Sequence, residues 1–243
     1  VNSQMVVANK KSNDSSVESF QLRYHKGKKK IVNMILSLQR SGNPTYHSLN
    51  LFSSGISELV NKSSADIVHF NWIGNELIGI QEIGKITKPI VWTLHDMWGF
   101  CGAEHCHDLN FPWRYRDGYT EKSYSSIKFG KFDVDSWTWR RKKRYWGRLK
   151  FNLVSPSRWL ANCARESVLF YDNDIMVIPN CIDIEVFKPI DKKVARKICG
   201  LPEDKLLILF GADGGTKNPL KGYRLLEKAF SYVSNNFRGE KLE

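Results

Sequence analysis

Six short apolar runs constrain this chain more than any other feature. They are "QMVVA" (4–8), "DIVHFN" (66–71), "PIVWTL" (89–94), "NLVS" (152–155), "IMVIP" (175–179) and "LLILFG" (206–211). They are rich in Val and Ile and continuous rather than alternating, as strands covered on both faces require. The stretches between them read as helices: "IVNMILSLQ", "NELIGIQEIGKI" and "SRWLANCARESVLF", the last with Ser157 placed to cap it. Strand–helix alternation predicts an α/β fold built on a parallel, doubly wound, Rossmann-like sheet. The 243 residues, 42% of them hydrophobic, suffice for one large domain or two small ones. A boundary is expected near "VFKPIDKK", giving a domain over 1–189 and the beginning of a second over 190–243. One strand and two helices cannot enclose a core, so the second is expected to be incomplete.

Charge and cysteine usage narrow the setting. Lys+Arg 37 against Asp+Glu 25 gives +12, which favours anionic partners: phosphates, nucleic acid or an acidic membrane face. No apolar run approaches a bilayer-spanning length, and no signal peptide opens the sequence. The irregularly spaced Cys101, Cys106, Cys163, Cys181 and Cys199 form no disulfide framework, and a cytoplasmic location is expected.

In open α/β sheets ligands sit at the carboxyl ends of strands. Three strands here end in His69-Phe70-Asn71-Trp72, Thr93-Leu94-His95-Asp96 and Ser155-Pro156-Ser157. That gathers imidazole, carboxylate, amide and hydroxyl groups on one rim. The plainer alternative is that His95 only bonds a neighbouring loop. A second constellation, "FGADGGTKNPLKGYRLL", runs from a strand through a glycine-rich loop to a helix starting near Gly222. Helix N-terminal N–H groups beside Lys217 and Lys221 make a phosphate site. The loop lacks Walker A spacing, and an ordinary surface turn is its competitor. "CGAEHCHD" (101–108) matches no standard zinc spacing, so no metal is expected. A His-Asp phosphohydrolase also fails, because those enzymes carry the pair on helices and His95-Asp96 follows a strand.

Taken in order, "DIVHFNW", "KPIVWTLHDMWGFCGAEH", "VSPSRWLANCARES", "VIPNCIDIEVFKP" and "LILFGADGGTKNPLKG" resemble the family 4 retaining glycosyltransferases of the GT-B fold. The resemblance is to the type found in bacterial cell-surface polysaccharide biosynthesis. The resemblance implies two Rossmann-like domains facing across a cleft, with a UDP- or GDP-linked sugar bound mainly by the C-terminal one. It makes His95 the catalytic histidine near the reacting centre. Lys221, with Lys217, Gly211 and Gly222, is implied to hold the diphosphate, and Asn180 and Asp183 match a motif beside the donor. Asn71, Trp72, Asp96, Trp98 and Ser157 are the expected substrate-binding residues. On this likeness the first strand and most of the C-terminal domain are missing, so the fragment alone is expected to be inactive. Cys181 stands where the family has glycine, which would strain a left-handed backbone.

The implied activity is sugar transfer, with retention, from a nucleotide sugar to a lipid-linked or polysaccharide acceptor, with no further cofactor. "SWTWRRKKRYWGRLKF" (136–151) sets five consecutive cations among aromatics, a combination an anionic membrane surface could take. A peripheral position at the inner face of the plasma membrane follows. The alternatives are a solvated helix whose aromatics pack inward, a basic nucleic-acid-binding protein, or an inactive glycosyltransferase remnant. No nucleic-acid motif is present in the sequence, and no nucleic-acid partner is expected.

Overall fold

The structure, a computed structural model, describes residues 2–20, 26–38, 43–108, 110–120 and 132–236. The chain divides into two compact units, Val1–Asn180 and Cys181–Glu243. The division falls ahead of the boundary expected after Pro189.

The first unit opens with strands β1 (Met5–Val7) and β2 (Val17–Ser19), then helices α1 (Lys26–Leu36) and α2 (Ile56–Lys62). It continues through β3 (Val68–Asn71), α3 (Ile80–Ile83), β4 (Ile90–Thr93), α4 (Arg114–Asp117) and α5 (Val134–Trp146). It closes with β5 (Asn152–Ser155), α6 (Arg158–Arg165) and β6 (Asp174–Val177). The strands β3-β4-β5-β6 form one sheet in that order, every pair parallel. The fold is therefore mixed α/β with parallel strands. The reversal of a doubly wound sheet is not seen among the described residues, because β1 and β2 pair only with each other.

Strand β4 is the axis of the core. It has a neighbour on each side, and Ile90, Trp92 and Leu94 are buried. The Trp92 ring meets Phe70, Trp98, Trp146, Phe151 and Phe170 at centroid separations of 5.6–6.1 Å, mostly edge to face. Such aromatic contacts add to the large area these rings remove from water. Asp133 caps α5 by accepting from the Ser136 N–H at 3.0 Å, and Ser157 caps α6 by accepting from Leu160 N–H at 3.2 Å.

The helix expected over "NELIGIQEIGKI" forms only at Ile80–Ile83. Asn75 and Glu76 are left-handed instead, with φ of +53° and +62°. Glu76 turns its carboxylate back to accept from Asn50 N–H and Leu51 N–H, both at 2.6 Å. A tertiary hydrogen-bond demand has overridden local helix preference. The segment expected to be irregular, 101–135, holds α4 and an isolated bridge between His47 and Glu104; positions 109 and 121–131 lie outside the described residues, as do 39–42.

In the second unit, α7 (Lys192–Cys199) is capped by Asp191 and ends at left-handed Gly200. Two 3-10 turns follow, Gly215–Lys217 and Pro219–Lys221, and then α8 (Tyr223–Asn236). The strand expected at 206–211 does not form, and Leu206 and Leu209 are 85% and 95% exposed. A single run of this kind has no ladder to satisfy its main chain when no second strand is described in the same unit.

Candidate functional site

The carboxyl ends of β3 and β4 carry the rim that the sequence pointed to. Asn71 and Thr93 are register partners in the two strands, and His95 lies two residues past Thr93. The His95 ring is exposed, with Nε2 3.1 Å from Asn71 Oδ1. An amide oxygen can only accept, so Nε2 carries the proton and Nδ1 is the basic nitrogen of the neutral ring. One turn of pleat below, His69 Nε2 lies 2.8 Å from Thr93 Oγ1. A shallow pocket opens here, lined by Trp72, Gly74, Thr93, His95, Asp96 and Gly99.

Asp96 organises the other side of that pocket. Its Oδ2 accepts both Trp72 Nε1–H at 3.0 Å and His105 Nδ1–H at 2.6 Å, and its Oδ1 accepts Trp98 N–H at 2.9 Å. The other His105 nitrogen, Nε2, lies 2.8 Å from Ser48 Oγ, which accepts from Asn75 N–H at 2.9 Å. With Nδ1 donating to the carboxylate, the Ser48 hydroxyl donates to Nε2. Three rings then form a column: Trp98 stacks on His105 at 6.1 Å, and Trp72 covers His105 at 5.7 Å. Tyr46 joins the edge, 5.2 Å from His105 and 6.3 Å from Trp72, and its hydroxyl donates to Asn75 Oδ1 at 2.9 Å.

Of the expected substrate-binding residues, Asn71, Trp72 and Asp96 are brought together beside His95. Trp98 is not available. It is 2% exposed and donates its indole N–H to Ser48 O at 2.9 Å, so it supports the site from within the core. Ser157 is exposed, its oxygen used to cap α6.

Helix α5 braces the rim from below. The Lys142 ammonium, wholly buried, donates to the main-chain oxygens of Trp98, Cys101 (3.1 Å) and Gly102 (2.7 Å), and it lies 3.8 Å from the Trp98 ring centroid. Burial pulls its pKa down to about 7. Next to it, Arg141 donates to Leu49 O at 2.8 Å and Asn50 O at 3.1 Å. The basic run is thus divided: Arg140, Lys143 and Arg144 are exposed, while Arg141 and Lys142 turn inward. Trp139 and Trp146 are buried too, Trp146 donating to Ile80 O at 2.8 Å. Two of the three indoles expected at a membrane surface, Trp139 and Trp146, are core residues and Trp137 is half-buried, as in the inward-packing alternative.

A buried charge cluster fixes the loop after β4. Glu104 accepts from the Tyr119 hydroxyl, which in turn accepts Gly102 N–H at 2.8 Å. Arg114 donates to Asp133 Oδ2 at 2.6 Å and lies 3.6 Å from Asp135. Burial, and then the neighbouring Glu104, hold the Asp135 carboxyl well above its usual range, whereas Glu104 is held low by hydrogen bonds and by Arg114 despite its burial. Asp135 is therefore the protonated member of the pair.

The second unit holds the other expected residues. Gly222 is left-handed, φ +72°, and stands immediately before α8; Lys221 precedes it and Lys217 ends the first 3-10 turn, all exposed or partly so. Gly211 has open space where a Cβ would be and no positive φ, so nothing there requires glycine. Asp183 starts a turn, accepting from Glu185 N–H at 2.9 Å. Asn180 is exposed at the last position of the first unit. Cys181 has no positive φ, so the strain expected from replacing glycine does not arise.

Sequence reasoning missed His105, Ser48, Gly74 and Lys142. In the sequence His105 reads only as a candidate zinc ligand, yet both its nitrogens are taken by Asp96 and Ser48. Asp96 is nine residues earlier but Ser48 is 57 residues away, and no local spacing signals that pairing. The structure gives the reason position 74 is glycine: a Cβ there would stand 2.7 Å from His105 Cε1 and 3.1 Å from Ser48 Oγ. No protein-family model, curated protein or solved structure matches this chain.

Proposed function

We propose that the chain is part of a nucleotide-sugar-dependent glycosyltransferase of the GT-B type acting on a lipid-linked or polysaccharide acceptor. The observation that carries this reading is His95, exposed past the carboxyl end of a parallel strand, anchored by Asn71 and flanked by the fixed Trp72–Asp96 pair. The ordered resemblance to the family 4 enzymes supports it, and retention of configuration rests on that resemblance alone. In this reading the bond between the anomeric carbon and the diphosphate oxygen breaks, and a new bond forms to an acceptor hydroxyl oxygen, whose proton passes to the departing diphosphate. Negative charge grows on the departing diphosphate. Lys221, Lys217 and the N-terminal N–H groups of α8 are of the right kind to stabilise it. His95 is assigned to the sugar, where its free basic Nδ1 can be set against a hydroxyl.

Release of nucleoside diphosphate from a panel of UDP- and GDP-sugars tests the reading, with this chain and with any longer gene product containing it. Cleavage of at least one donor, reduced by His95→Ala, is the expected result. Absence of both binding and cleavage across the panel, in the longest product, would overturn it.

A further inference from the structure

We propose that Trp72 and Tyr46 form the stacking platform of a saccharide-binding subsite, with His95, Asp96 and Asn75 reading the hydroxyls of a neutral pyranose ring. This rests on the transferase reading and names the part of the site that takes the acceptor. Three observations lead to it.

The first is exposure joined to rigidity. Trp72 is 46% exposed, yet its indole is held by Asp96 at one end and covered by His105 on one face. A pre-fixed aromatic surface loses little freedom on binding. The second is backbone geometry. Trp72 has φ of +37°, a region large side chains avoid, and Asn75 and Glu76 follow with the same sign. Strain of this kind persists only where surrounding bonds enforce it, and Glu76 with Asn50 does so here. The chain thus turns an indole outward that burial alone would have drawn in. The third is the set of neighbours. The amide of Asn75 can donate and accept, the free Nδ1 of His95 accepts, and Asp96 accepts. Such groups suit hydroxyls. They do not suit a phosphate, since no Lys or Arg lines this pocket. A pyranose offers an apolar C–H face to the indole and hydroxyls at its edge, matching both features.

The test uses the full chain labelled with nitrogen-15, and maltotriose, cellotriose, chitotriose, mannotriose and UMP as probes. The Trp72 indole N–H signal is assigned by its loss in Trp72→Phe. It is expected to move with at least one trisaccharide. Trp72→Ala is expected to weaken that binding at least about tenfold, and Trp72→Tyr, which keeps a ring, to restore part of it. The signals of the other tryptophans report that each variant is folded. A Trp72 signal that ignores all four trisaccharides, or answers to UMP only, overturns the subsite. Donor cleavage that persists in that case would leave the transferase reading standing. Trisaccharide binding at Trp72, with neither binding nor cleavage of any donor in the longest product, would uphold the subsite and remove the transferase.

Discussion

Gly74 and His105 are in contact so close that no other residue fits: a Cβ on Gly74 would sit 2.7 Å from His105 Cε1. The imidazole cannot retreat, because Trp98 stacks behind it and Asp96 and Ser48 hold both nitrogens. Gly74→Ala is therefore expected to destabilise the first unit by about 1–3 kcal/mol, as overpacking does. The same variant should shift the Trp72 indole signal, since His105 carries the ring above it. Denaturant unfolding reads the first effect. An unchanged midpoint with an unmoved indole would mean the column is looser than its distances say.

Lys142 gives a pH signature. Its pKa in the fold is about 7, below the ordinary lysine value of 10.5, because burial penalises the charge. Between those values the unfolded chain holds the proton and the folded chain releases it, so this group makes stability rise with pH through that window. Lys142→Met should remove that rise. It should also cost about 3 kcal/mol at neutral pH, because three inward carbonyls lose their donor. Urea midpoints of parent and variant from pH 6 to 10 provide the comparison. Parallel curves would place the lysine's proton elsewhere.

Asp135 carries the opposite sign. Its carboxyl keeps a proton in the fold well above the usual carboxylate range, whereas the unfolded chain loses it near 3.8. Its contribution to stability is complete below that pH and is lost as pH rises toward the folded value. Asp135→Asn supplies an N–H for Glu104 with no proton to lose. The variant should be more stable than the parent at pH 7 by about 1 kcal/mol, the scale of one pKa unit. A marked loss of stability would show that Asp135 is needed as an anion beside Arg114.

His95 and Lys221 separate chemistry from donor binding. His95→Ala should lower turnover on an accepted nucleotide sugar by ~10² or more with unfolding unchanged. Lys221→Ala should weaken nucleoside diphosphate binding by about 1.5–3 kcal/mol, the range of a charge-assisted hydrogen bond, and Lys217→Ala by less. Calorimetric titration with UDP and GDP measures the second pair. Equal, negligible losses would move the phosphate site off this loop.

The parts legible in the sequence were those with local causes. Val68–Asn71, Ile90–Thr93 and Asn152–Ser155 are the strands that their apolar, β-branched runs indicate, but burial alternates along each, so one face is fully covered rather than both as expected; the polar residues at their ends share a rim. What escaped was set by distant partners. Glu76 is left-handed because it serves the main chain of Asn50 and Leu51, 26 and 25 residues earlier. Lys142 reads as one more surface cation, and only the oxygens of Trp98, Cys101 and Gly102, 40–44 residues back, draw it inside. "LLILFG" reads as a strand on composition, but a strand also needs neighbours.

Arg141 and Lys142 are adjacent on one helix, yet they hold different segments: Arg141 the oxygens of Leu49 and Asn50, Lys142 those of Trp98, Cys101 and Gly102. The stretch bearing Ser48 and the stretch bearing Asp96 are thereby keyed to the same turn of α5. Neither can open without breaking its link to that turn, so amide protons in both should exchange with solvent through one shared opening event. A single residue inserted into α5 ahead of Arg141 would rotate both keys by about 100° at once, given 3.6 residues per turn. The rim would be lost as a whole rather than piece by piece.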